Sequence, residues 1–143
     1  MHDLPVDTLR PLLLGVLAAA LAWQANKILG RAPVKIRSAL SPLAEEAAKT
    51  LPAALLSANI FFTHFFFGAV EGGWEMLSGR RNGFYAGLSA LASHSVFGAL
   101  TLLVYDLQGS LLASLAAGFL AHAAWNYAVV EFLSRRRRPG AGP

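Results

Sequence analysis

His122 and Asn126 stand four residues apart inside an apolar run from Ser110 to Leu133. On a helix that spacing stacks two side chains on one face. In an apolar surrounding an unpartnered polar group is costly, so such a face is expected to point into a bundle and to mark a site. Ser114 and Gly118 extend the same stripe. Similar groups recur, one set per apolar segment: Glu45-Glu46-x-x-Lys49, Phe67-x-x-x-Glu71, and His94 within Phe84 to Tyr105.

Gathered in a water-poor interior, these groups supply what amide hydrolysis needs: a base for water, donors for the oxyanion and an acid for the leaving amine. An apolar surrounding strengthens a carboxylate as a base. Glu45 or Glu46 is therefore the candidate water activator. Lys49, at i+4 from Glu45, can hold one carboxylate ionised while its neighbour works. His122 and Asn126 suit an oxyanion hole, and Glu71 and His94 suit orienting the water or carrying protons. The same donors offer a second chemistry, with Glu46, Glu71, His94 and His122 around one divalent metal such as zinc. Because the ligands would come from separate helices and no His-Glu-x-x-His pair occurs, the metal-free site is the first reading and the zinc site its alternative.

The elements that must position these residues follow from the hydropathy pattern. Of 143 residues, 55% are hydrophobic and 14% charged, against about 25% charged in soluble domains, and the apolar residues fall in long runs. The fold expected is an all-α, polytopic membrane helix bundle of about five transmembrane helices. Residues 1–134 read as one membrane-embedded domain with its motif-bearing core at 41–133, and 135–143 as a basic flexible tail. The first span runs from Leu9 to Leu29, preceded by Asp3 and Asp7 rather than by the basic start of a signal peptide. A basic loop with Gly30 and Pro33 follows. The second opens at Ser41-Pro42 as an N-cap with proline in the first turn and Glu45 as a capping acid, and at about Ser57 it ends short of a bilayer, with Pro52 placed to kink it. Asn59 to Leu77, Phe84 to Tyr105 and Ser110 to Leu133 complete the set.

Five spans with the N-terminus outside place Lys27 to Arg37, Arg80-Arg81 and Arg135 to Arg138 together on the cytoplasmic side, as the positive-inside rule asks. Glu45, Glu46, Glu71, His94 and His122 then overlap in depth, whereas His64 lies nearer the outer face. The net charge of +4 is explained by this clustering, with anionic lipid as the partner of the arginine tail. No nucleic-acid motif is present. Without cysteine there is no disulfide, thiol nucleophile or thiolate metal ligand.

The ordered set Glu45-Glu46-x-x-Lys49, Phe67-x-x-x-Glu71, His94 and His122-x-x-x-Asn126 resembles the motifs of the PrsW-type intramembrane proteases, within a superfamily that includes the CAAX prenyl endopeptidases and bacteriocin-processing proteins. The resemblance covers about 43–130, and Glu71, where the CAAX branch carries histidine, favours the PrsW branch. Gly72 and Gly98 depart from the family pattern. The resemblance implies a multi-pass protein of a prokaryotic cell membrane that cleaves a membrane-protein or peptide substrate, with Glu45, Glu46, Glu71, His94, His122 and Asn126 as catalytic residues and Lys49 and Phe67 in support.

Each residue also has a plainer use. The Glu45-Glu46 pair can complement a helix dipole, Glu71 or Glu75 can pair with Arg80 or Arg81, and His94 and His122 can be interhelical hydrogen bonds. His64, among phenylalanines, reads as structural. Gly83-x-x-x-Gly87 and Gly98 read as close-packing positions. Two other function classes use the same bundle: a small proton- or cation-coupled transporter or channel, and a non-catalytic membrane scaffold.

Overall fold

The computed structural model describes residues 6–136, and within them the side chains of 9–33 and 36–132. Five α-helices follow in order: α1 (Val6–Leu29), α2 (Val34–Leu55), α3 (Ile60–Leu77), α4 (Gly83–Gln108) and α5 (Leu111–Arg136). No strand occurs among the described residues. Connections this short make successive helices antiparallel neighbours. The turns at 30–33 and 78–82 and the end of α5 therefore share one end of the bundle. α2 packs against α1, α3 and α5, and α3 and α4 share the most extensive interface.

Local chemistry sets most of the boundaries. Gly30 to Pro33 separates α1 from α2. The Asn59 side chain caps α3 by accepting from the Phe62 N–H at 3.0 Å. Gly109, left-handed at φ 61°, ends α4. Ser110 then accepts from the Ala113 N–H at 3.2 Å and opens α5.

Two expected boundaries are corrected. α2 begins at Val34, directly after Pro33, so Ser41-Pro42 lies inside the helix and caps nothing. Its 22 residues span about 33 Å, enough for a bilayer core, and Glu45 sits about three turns in rather than one. α5 continues to Arg136, two residues into the expected tail; 137–143 lie outside the described residues.

The distribution of side chains is inverted relative to a water-soluble domain. Among the described residues, the buried polar set is Glu45, Glu46, Lys49, Thr50, Thr63, His64, His94, Thr101, Ser114 and His122, against six buried apolar residues, two of them phenylalanine. Large apolar side chains face outward, Leu13 at 60%, Trp74 at 67% and Leu112 at 77% exposure. Soluble proteins reserve the interior for the second kind. Two helices, α1 over Leu9–Leu29 and α4, are long and apolar enough to cross a membrane.

Glycines on α3 and α4 let the site form. A Cβ on Gly68 would stand 2.9 Å from the Cβ of His94, and one on Gly98 would stand 2.5 Å from that of His64. Each helix thus gives up a side chain where the other places a histidine. One step along, Gly72 and Gly87 meet backbone to backbone, a Cβ on Gly72 falling 2.6 Å from the Gly87 carbonyl oxygen, as in small-residue helix crossings.

Gly98→Ala is therefore expected to destabilise the purified protein by about 1–3 kcal/mol through overpacking. Gly73→Ala, where a Cβ meets nothing within 4 Å, should be neutral or slightly stabilising. Unfolding in detergent, followed by circular dichroism, compares the two.

Candidate functional site

α2 supplies the centre of the site. Glu45, Glu46, Lys49 and Thr50 project from successive turns, and all four are buried. Lys49 Nζ donates to Glu46 Oε1 at 2.6 Å and contacts His94 Nδ1 at 3.1 Å. The Phe67 ring lies beneath the ammonium, 4.3 Å from its centroid. A buried ammonium is tolerable where it is paired and fully contacted, and α2, α3 and α4 together provide this. Lys49 therefore pairs with Glu46 at i+3, not with Glu45 at i+4 as the spacing predicts.

The hydrogen-bond directions around Lys49 fix the two imidazoles. An ammonium has no acceptor, so His94 Nδ1 accepts and its Nε2 carries the proton, which it donates to Glu71 Oε2 at 2.6 Å. His122 Nδ1 lies 2.9 Å from Glu46 Oε1. The carboxylate accepts there from Nδ1–H, and Nε2, which carries a lone pair in the neutral imidazole, lies 3.7 Å from Glu45 Oε2. The two rings stand perpendicular with centroids 5.2 Å apart, and Phe97 stacks on His122 at 5.0 Å.

The neighbouring glutamates thus have different surroundings. Glu46 has no exposed surface and faces inward to Lys49 and His122. Glu45 accepts from Asn26 Nδ2 of α1 at 2.9 Å and lines a groove of about 600 Å³ between α1 and α3. These helices touch at Gly15, where a Cβ would fall 2.9 Å from the Phe67 backbone nitrogen. Val16, Ala19, Ala20, Trp23, Val70 and Trp74 form the apolar walls of the groove, and Asn26, Glu45, Glu71 and Glu75 its polar part.

Five of the six expected catalytic residues, with Lys49 and Phe67, meet in this cluster. Asn126 does not: it is exposed. Steps of four residues advance about 40° beyond each full turn of a helix with 3.6 residues per turn. From the buried Ser114, Gly118 and His122, the stripe has drifted off the bundle face by Asn126, and from Ala124 to Val130 the helix is uncovered. The expected ligand set Glu46, Glu71, His94 and His122 is not the one whose atoms converge. Glu46 Oε1 is taken by Lys49 and His122. Glu45, His94 and His122 instead place one ligand atom each within 4.8 Å of the others. Glu45 and His122 fit a metal, but both His94 nitrogens are engaged, so this set fits only if Lys49 or Glu71 releases one.

Sequence reasoning also passed over several members. His64, read as structural and too far out, is fully buried, with Nε2 3.2 Å from Thr50 Oγ1 and Nδ1 3.7 Å from Glu46 Oε2. Its signal was the seven-residue spacing to Glu71, two turns on one face. Asn26 continues the buried stripe Ala18, Ala22 at the same four-residue step. Thr101 Oγ1 and Glu46 Oε2 both lie within 2.8 Å of the point where a Cβ on Gly118 would sit, so only glycine lets α5 approach there. Glu75 pairs with Arg80 at 3.2 Å, and Glu71 with His94 rather than with arginine.

Lys49→Met should cost about 3–5 kcal/mol by leaving Glu46 buried and unpaired. The double variant Glu46→Gln/Lys49→Met should recover a large part of that loss, and Asn126→Ala should change nothing. Chemical unfolding of the four proteins in one detergent measures the set.

Compared with protein-family profiles, with curated proteins and with solved structures, the chain matches none, so its likeness to PrsW-type proteases rests on the motif residues themselves.

Proposed function

We propose that the chain is an intramembrane endopeptidase, a helical bundle set in a membrane with the N-terminus outside, that cleaves a membrane-associated protein or peptide on the cytoplasmic side. The observation that carries the reading is the groove between α1 and α3, whose apolar walls end on Glu45 and Glu71 directly against the Lys49–Glu46–His122 chain. The inverted distribution of polar and apolar residues supports the membrane setting. The polar end of the groove also lies toward the basic turn of Arg80 and Arg81, which the positive-inside rule puts in the cytoplasm.

The roles follow from which atoms are free. Glu46 orients His122 so that Nε2 is the acceptor, as a carboxylate orients the histidine of a hydrolase. Glu45 Oε2 and His122 Nε2, 3.7 Å apart, suit holding one water between them. That water attacks the substrate carbonyl as its proton passes to the pair. Asn26 spends one amide N–H on Glu45 and has a second for the oxyanion, the part expected of His122 and Asn126. The proton taken up by the Glu45–His122 pair then passes to the leaving amine, with Glu71, held by His94 at 2.6 Å, as the carboxylate in the groove that relays it. The glutamates work as bases and acids inside an apolar site, with Lys49 as the resident cation.

The convergence of Glu45, His94 and His122 carries a second reading. In it these three residues would hold a divalent metal, which would supply Lewis-acid chemistry, and His94 would exchange one of its hydrogen bonds for the metal.

Purified protein should cut membrane-anchored peptides. Glu45→Gln, Glu71→Gln and His122→Ala should each lower the rate by about 100-fold or more, while Asn126→Ala stays at wild type. Loss of cutting with a chelator, restored by zinc, selects the metal reading; indifference to it selects the glutamate one. Variants equal to wild type would remove the protease reading.

A further inference from the structure

The described part of the cluster is unequal in charge. Three carboxylates, Glu45, Glu46 and Glu71, face one ammonium, and Lys49 donates to Glu46. Glu45 is held by the neutral amide of Asn26 and Glu71 by His94, an imidazole that already accepts from Lys49. Among the described residues no lysine or arginine forms an ion pair with either. Of the described cations, Arg80 pairs with Glu75, and Lys27 lies over the Trp23 ring, 4.5 Å from its centroid. The Glu71 side chain is 41% exposed and forms part of the groove lining with Glu45. Among the described residues, the polar end of an otherwise apolar groove thus presents two carboxylates that no lysine or arginine pairs with.

We propose that the groove between α1 and α3 selects peptide segments that are apolar along their length and carry a lysine or arginine where the apolar run ends, the cation seating against Glu71 and Glu45. The proposal rests on the protease reading for what happens next, but concerns binding and can be tested apart from cleavage. The walls provide apolar contact and the end provides charge complementarity in a partly water-excluded site, where an ion pair counts for more than at an open surface. Such a segment matches the groove in depth too, since membrane spans carry their basic residues at the cytoplasmic end. A glutamate at that position meets like charge, which disfavours the wrong partner.

Trp23 and Trp74 line the groove and Trp125 lies on α5 outside it, so a Trp125→Phe protein reports on the groove by its own fluorescence. The probes are synthetic single-span leucine-alanine peptides without tryptophan. Each carries a dansyl acceptor and, at one end of the apolar run, lysine, glutamine or glutamate. In maltoside micelles the lysine peptide should bind about tenfold or more tightly than the glutamine peptide, one such factor being about 1.4 kcal/mol. The glutamate peptide should bind weakest, and the difference should shrink with salt. Glu71→Gln should bring the lysine and glutamine peptides close together. Equal binding of the three peptides overturns the proposal, as does displacement of the lysine peptide by phosphatidylethanolamine alone, which would assign the carboxylates to a lipid amine. Charge-selective binding without cleavage of any peptide upholds the proposal and sinks the protease reading. Cleavage without charge preference does the reverse.

Discussion

A lysine ammonium with no exposed surface is the constraint on which the rest of this structure depends. Removing a charge of that size from water costs several kcal/mol unless every direction around it is answered. Here Glu46 answers from one turn below on α2, His94 from α4 and the Phe67 ring from α3. His122 of α5 reaches the same pair through Glu46. Four helices thereby meet at one buried ion pair. The glycine contacts serve this end, since His64 and His94 reach Glu46 and Lys49 only because Gly98 and Gly68 bring the α3 and α4 backbones together.

The same pair sorts two adjacent glutamates into different tasks. Consecutive residues on a helix point about 100° apart, so Glu45 and Glu46 flank Lys49 on opposite sides, and only Glu46 pairs with it. Glu46 takes the interior and becomes the fixed partner of a cation and an imidazole. Glu45 is turned toward α1, where Asn26 and the groove lie. In the proposed reaction, their order in the chain separates structural support from reactive surface. Lys49 further determines which nitrogen of His94 carries a proton, and Glu46 determines the same for His122. One ion pair sets two tautomers, and with them which atoms remain open to the groove.

Much of the fold was legible because helix periodicity, Gly30, Pro33, Asn59 and Gly109 are local signals. The start of α2 was not, because Ser41-Pro42 satisfies the local rules for a helix start while the helix runs through it from Val34. Within the site, Glu45, Glu46, Lys49, Glu71, His94 and His122 could be found as polar residues in apolar runs. What spacing alone could not give was rotation and reach. Asn126 keeps a plausible four-residue step and still turns off the face; Lys49 chooses i+3 over i+4. His64 looked misplaced because depth was counted from helix ends assigned too short on α2, and the longer helix brings Thr50 and Glu46 to its level. Asn26 belongs to a helix read only as a span. Its partner, Glu45, is set by how α1 packs on α2, which no local pattern contains.

Hydropathy and site chemistry pull against each other in this chain, and that bears on how its helices are counted. Among the described residues, α1 over Leu9–Leu29 and α4 are the helices that pass as long and apolar, and α1 contributes Asn26, near its end, to the cluster. Among the polar residues that weigh against α2, α3 and α5, beside the exposed Asn126, are those of the cluster: Glu45, Glu46 and Lys49, then His64 and Glu71, then His122. A hydropathy value treats these groups as if they faced the surroundings. In the folded bundle they face one another, and the outward surface of the same helices presents Leu43, Phe62, Leu112 and Leu120. A helix whose ionisable groups are internally paired meets a bilayer with its apolar side chains. In the proposed membrane setting, the cluster residues that make α2, α3 and α5 look more polar are therefore ones whose mutual pairing would help these helices to cross.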